Sequence, residues 1–157
     1  MSTESEDAGP DSASDFAACN PSGRSYAAAG VLALSGVAFL FMGLQTWAIV
    51  PKPTLLAKSL IAAMLACGFA LAYLGARQLS VRTSAAVGGM VVSAVSGLFA
   101  FYWLSFSAQR GLFSALAAGL PFACLVSTLV SFAALEPARK ADAARRRMLA
   151  RGEAFGV

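Results

Sequence analysis

The chain has 157 residues, of which 58% are hydrophobic and only 13% charged, with 14 glycines, no histidine and a mean hydropathy of +0.69. A soluble domain carries about 25% charged residues, so the composition is that of an integral membrane protein. Without histidine there is no His-ligated metal or haem, no Ser-His-Asp or Cys-His device and no imidazole proton relay.

Residues 1–24 open with Glu4, Glu6, Asp7, Asp11 and Asp15, and the first base is Arg24. Poor in large apolar residues, this acidic segment is expected to be a disordered tail unless it folds back on the basic C-terminus or orders against another subunit. From Arg24 to Leu135 the only charges are Arg24, Lys52, Lys58, Arg77, Arg82 and Arg110, with no acid. A charge at the bilayer centre costs roughly 2.5–3.5 kcal/mol, so the gaps between these bases are the spans.

Four spans follow, at about 26–50, 56–76, 83–108 and 111–135. At 1.5 Å per residue the charge-free runs reach roughly 27–39 Å, enough for a hydrocarbon core of about 30 Å. A cleaved signal peptide is a poor reading of the first run, which is too long and follows acids rather than bases. Pro51-Lys52-Pro53-Thr54 ends the first span, because proline lacks a donor and restrains its predecessor. Residues 77–82 and Arg110-Gly111 supply the other turns. Such short connections make consecutive helices antiparallel neighbours. The expected fold is an all-α integral membrane protein, a four-transmembrane-helix antiparallel bundle of two helical hairpins over residues 25–135.

Close backbone approach in lipid needs small residues at the contact. The fourth span carries Ala115, Gly119, Ala123, Ser127 and Ser131 at four-residue spacing, and the third carries Ala85, Gly89, Ser93 and Gly97. Both stripes are expected to be helix-packing faces, as is Ala62, Ala66, Ala70 in the second span. Leucine at Gly119 is expected to disrupt packing, and at Val126 or Leu129 to be tolerated. Pro121 frees the carbonyl of Ala117 and is expected to kink the fourth span. Ser-Gly at 35 and 96, and Ala-Cys at 66 and 123, recur at similar offsets. Two dipeptides in hydrophobic helices read more simply as chance than as a repeat.

Chemistry is sparse. Cys67 and Cys124 fall inside spans and read as small apolar residues, and Cys19 as a lone thiol. The cysteines have no metal-ligand spacing, no phosphate-binding glycine motif occurs, and no acid lies within a span. Ion-coupled transporters and cation filters place ionisable groups at depth, so the expectation is a protein with no catalytic residue, no cofactor and no identified small-molecule substrate.

The tail, residues 136–157, contains Pro137 followed by an alanine- and arginine-rich stretch expected to be helical. Arg139, Lys140, Arg145, Arg146, Arg147 and Arg151 do not share one face, so this is a basic helix with little amphipathic bias. It is expected to bind anionic lipid or an acidic partner, but not nucleic acid, since no aromatic platform accompanies the arginines. With Arg24, Arg77 and Arg82 these bases outnumber Lys52, Lys58 and Arg110 by nine to three. Both termini are therefore expected on the cytoplasmic or equivalent side of a plasma, inner or organelle membrane. Trp47, Tyr102 and Trp103 are expected near one interface, and Tyr26 and Tyr73 near the other.

Two functions fit these features. One is an accessory or scaffold subunit that packs against other integral subunits or its own copies, with truncation after Leu135 expected to leave the spans intact. The other is a homo-oligomeric pore or small-solute carrier.

Overall fold

A computed structural model describes residues 10–49, 54–109 and 115–150. Its elements are α1 (Pro10–Cys19), α2 (Gly23–Ile49), α3 (Leu55–Gln78), α4 (Thr83–Gln109), α5 (Ala115–Ala133) and α6 (Leu135–Ala150), and no strand occurs among the described residues. Four helical stretches, Ala13–Ile49, Leu55–Gln78, Thr83–Ala108 and Ala117–Ala150, are long and apolar enough to cross a membrane. The turn residues Pro51–Pro53, Arg110 and Gly111 lie outside the described residues.

Local chemistry sets the helix ends. Ser22 Oγ accepts from the Ser25 amide at 3.4 Å and Thr54 Oγ1 accepts from Ala57 N–H at 3.3 Å, each satisfying a donor that a helix start leaves free. Pro10 opens α1, where its missing donor costs nothing. The α1 helix replaces the disorder expected of this part of the tail, because it finds a surface on α6 to cover. A turn at Ala134 separates α5 from α6, bridged by Ala134 N–H donating to Val130 O and Ala138 N–H to Ala134 O, while Pro137 has no N–H to donate. The two helices therefore form one nearly continuous arm.

The packing is inside-out relative to a soluble protein. Leu34, Leu98, Phe122, Phe69 and Phe132 point outward, while Ser35, Ser93, Ser96, Ser127 and Ser131 are buried. Phe39, Met64 and Leu71 fill the centre with Leu32, Leu120 and Cys124. Trp47, Tyr102, Tyr26 and Tyr73 are exposed, but Trp103 is buried against Phe106, with ring centroids 5.8 Å apart. Trp103 is thus a core residue and not part of an interfacial belt.

The tightest seam joins α2 and α3. A Cβ built on Gly36 would lie 2.7 Å from Gly68 O and 2.8 Å from Ala72 N, and one on Gly75 would lie 2.9 Å from Ala29 O. Gly43 faces Leu65 at 3.0 Å. Ala29, Gly36 and Gly43 on one helix, and Gly68 and Gly75 on the other, recur every seventh residue. A seven-residue step drifts only about 20° around a helix, so such positions stay on one face for several turns.

Four-residue stripes drift about 40° per step, and the structure shows the consequence. On α4 Ala85, Gly89 and Ser93 are buried and Gly97 is half-buried. On α5 Ser131 and Ser127 are buried, Ala123 is half-buried, and Gly119 is exposed with nothing within 4 Å of a built Cβ. Gly119 therefore corrects the expected stripe: three steps from Ser131 have turned it off the interface, where Ala117, Leu120 and Cys124 pack instead. Ala62 and Ala66 on α3 are likewise exposed. The side chain of Ala115 lies outside the described residues. Pro121 is half-buried within α5.

Hydroxyl pairs tie α5 to its neighbours. Ser35 Oγ and Ser127 Oγ are 2.8 Å apart, as are Ser93 Oγ and Thr128 Oγ1.

Alanine at Gly36 is expected to destabilise the protein by about 1–3 kcal/mol, because its obstacles are backbone atoms that cannot swing aside. Alanine at Gly119 is expected to be neutral or stabilising by up to about 1 kcal/mol, through helix propensity alone. Unfolding in mild detergent monitored by circular dichroism checks the pair, and equal effects would contradict the seam.

Candidate functional site

Among the described residues the ion pairs gather at one end, where α1, α6 and the α3–α4 turn meet. Ala138, Ala141, Ala144 and Met148 form the buried face of α6. They recur at three- and four-residue spacing, so α6 has an apolar side after all, made of alanines whose weak hydrophobicity hides it. Against this face lies α1. Asp15, its side chain 4% exposed, accepts from Arg147 Nη2 at 3.0 Å, and Cys19 Sγ donates to Ala141 O at 3.8 Å.

The opposite side of α6 holds the α3–α4 turn. Arg145 Nη1 donates to Val81 O at 2.9 Å and to Asp142 Oδ1 at 3.0 Å, while its Nη2 donates to Ser80 O at 2.7 Å. Asp142 Oδ2 in turn accepts from the Thr83 backbone N–H at 2.9 Å, capping α4 from 59 residues away. Val81 has φ 46°, a left-handed conformation that a β-branched residue rarely adopts and that costs on the order of 1–3 kcal/mol. Its buried side chain and the Arg145 fork hold it there.

Burial pushes the Asp142 carboxyl upward, but hydrogen bonds from Thr83 and from Arg145, with the Arg145 charge, outweigh it and leave the group below its ordinary range. Glu136 is also lowered, first by its hydrogen bond from Lys140 and then by the charges of Lys140 and Arg24. Lys140 Nζ lies 2.8 Å and Arg24 Nη1 3.5 Å from Glu136, all largely exposed. Such surface pairs contribute little.

The expected docking bases thus divide by partner. Lys140, Arg145 and Arg147 are engaged with Glu136, Asp142 and Asp15. Arg139 and Arg146 are exposed and, among the described residues, have no carboxylate within salt-bridge distance. With Thr83, Asp142 and Ala143 they line a pocket of about 340 Å³. Arg151 lies outside the described residues. Asp142 is the functional side chain that sequence reasoning passes over, and the only local signal is a lone acid among alanines and arginines. Because α6 caps α4, holds the turn and covers α1, cutting after Leu135 removes part of the fold and not a separable appendage. Among the described residues no three Cys, Asp or Glu side chains come together to hold a metal.

A group whose pKa is lowered on folding contributes stability above its unfolded pKa and loses it as pH falls through the folded one. Acidification below the ordinary carboxylate range is therefore expected to release the Thr83 cap and loosen α6, and Asp142→Asn is expected to flatten that response. Arg145→Lys is expected to cost about 1–3 kcal/mol, since a single ammonium cannot replace the planar fork at two carbonyls and a carboxylate. Amide exchange at Thr83 and thermal unfolding between about pH 7 and about pH 3 check both outcomes.

Compared with known proteins, the chain matches no family model, no curated protein and no solved structure.

Proposed function

We propose that the chain is a non-catalytic integral membrane protein whose four spans form an antiparallel bundle of two hairpins, and that it serves as an accessory or scaffold subunit of a larger membrane complex. The observation that carries this reading is the inverted surface. Large apolar side chains such as Leu34 (72% exposed), Leu98 (76%) and Phe122 (70%) face outward from helices long enough to span. Outward apolar surface on this scale suits lipid or neighbouring subunits and is unfavourable in water.

The α2–α3 register supports the antiparallel arrangement, because Ala29 and Ala33 meet Gly75, Gly36 meets Gly68, and Gly43 meets Leu65. The nine-to-three excess of bases supports a cytoplasmic placement of both ends. A scaffold role draws support from an interior occupied by Phe39, Met64 and Leu71, and from hydroxyls that bond to helix carbonyls and to each other. The basic, partly unpaired face of α6 then docks anionic lipid or an acidic surface of a partner.

Reporters fused at both termini are expected on the cytoplasmic side, and different proteins are expected to co-purify in mild detergent. In liposomes the pure chain is expected to show neither proton-coupled uptake nor cation current. Robust conductance from a ring of identical copies would contradict the scaffold reading in favour of a pore.

A further inference from the structure

Arg139 and Arg146, which have no carboxylate partner among the described residues, share one seam with an apolar groove. That groove, of about 650 Å³, runs between α4 and α5, with Ala94, Gly97 and Phe101 on one wall and Pro121, Phe122 and Thr128 on the other. Its wall residue Ala94 lies eleven residues after Thr83, which lines the basic pocket, and Thr128 lies eleven residues before Arg139, which also lines it. Eleven residues are about three helical turns, so Thr83 and Ala94 sit on one face of α4, about 16 Å apart. Thr128 and Arg139 lie on either side of the turn at Ala134, which the bonds from Ala134 N–H to Val130 O and from Ala138 N–H to Ala134 O bridge. Exposed Val87 and Val91 on α4 and Phe132 on α5 lie between the two pockets.

A distance of about 16 Å matches half of a hydrocarbon core of about 30 Å, the depth reached by one acyl chain in one leaflet. The polar end selects a charge as well. Both oxygens of Asp142 are committed to Thr83 and Arg145, and Arg145 offsets its charge, leaving Arg139 and Arg146 to set the sign of the pocket.

We infer that one anionic phospholipid occupies this seam, its phosphate between Arg139 and Arg146 and an acyl chain running down α4 and α5 to the groove at Ala94 and Thr128. The inference rests on the membrane reading above and names the lipid contact of its basic face. Arginine suits the phosphate because its planar donor fork engages two oxygens at once. Small residues at Ala94 and Gly97 leave room for a chain where larger ones would close the groove.

Native mass spectrometry of the full chain in detergent, titrated with phosphatidylglycerol or phosphatidylcholine, tests this. Phosphatidylglycerol is expected to saturate at one molecule per chain and to lose about thirtyfold in affinity in the double variant Arg139→Ala, Arg146→Ala. Lys140→Ala, which removes a base already paired with Glu136, is expected to change it little. Ala94→Phe is expected to weaken long-chain phosphatidylglycerol and spare its dihexanoyl form, with the circular dichroism of every variant unchanged. Equal loss in Lys140→Ala would overturn the pocket while leaving a diffuse basic docking face standing. Displacement of the lipid by inorganic phosphate, with no dependence on chain length, would overturn the lipid in favour of a free anion. Displacement by an acidic peptide at equal affinity would overturn it in favour of a protein partner. Failure of the chain to enter bilayers at all would bring down the membrane reading itself.

Discussion

On the membrane reading proposed above, this fold depends on how closely two helix backbones can approach where no water is present to drive them together. Lipid tails are as apolar as leucine, so burial of apolar side chains gives little preference for a neighbouring helix over lipid. What remains is dispersion between well-fitted surfaces and a few hydrogen bonds. Gly36 and Gly68 meet backbone to backbone, with no room for a methyl group. This contact fixes α2 on α3, and α5 then reaches α2 through the Ser35–Ser127 pair and α4 through Ser93–Thr128. Interhelical hydroxyl bonds in membranes contribute about 0.6 kcal/mol each, so they set register while the glycine seam supplies the fit.

The charged end solves a different problem. Helix starts expose free N–H groups, and the start of α4 follows a turn whose own residues offer no side-chain cap. Asp142 supplies it from α6, and Arg145 gathers the carbonyls that the strained Val81 turn presents. One helix after the last span thus closes the α3–α4 hairpin on one side and receives α1 on the other. Among the described residues Arg139 and Arg146 have no carboxylate partner within this cap, and with Thr83 they line the pocket beside it.

The four long apolar helices were legible because a single charge in lipid is costly, so the stretches between the six bases stood out. Packing faces were legible only in part. The α4 stripe from Ala85 to Ser93 is buried, but the same four-residue rule fails at Gly119, Ala62 and Ala66 because drift around the helix accumulates. The seven-residue recurrence of Gly36 and Gly43, and of Gly68 and Gly75, was present in the sequence and is the better signal. Composition alone could not separate the alanine face of α6 from solvent-exposed alanines, so charge complementarity offered the fold-back of α1 onto α6 only as an alternative to disorder. The role of Asp142 as a cap was hidden for a similar reason, since the amide it accepts from, Thr83, is 59 residues away. Trp103 fell in the core because its helix turns it inward next to exposed Tyr102.

The central claim is an inside-out bundle in lipid, and spin-label accessibility along α4 and α5 tests it most directly. Single cysteines at Leu98, Phe101, Phe122 and Leu125, and at Ser96, Ala100 and Leu120, would be labelled in full-length chains whose native Cys19, Cys67 and Cys124 are replaced by alanine. In bilayers the first group is expected to collide freely with oxygen and the second to be shielded, with accessibility oscillating every 3.6 residues or so. High collision with a water-soluble nickel complex along the Leu98 to Phe122 faces, or no oscillation at all, would contradict the account.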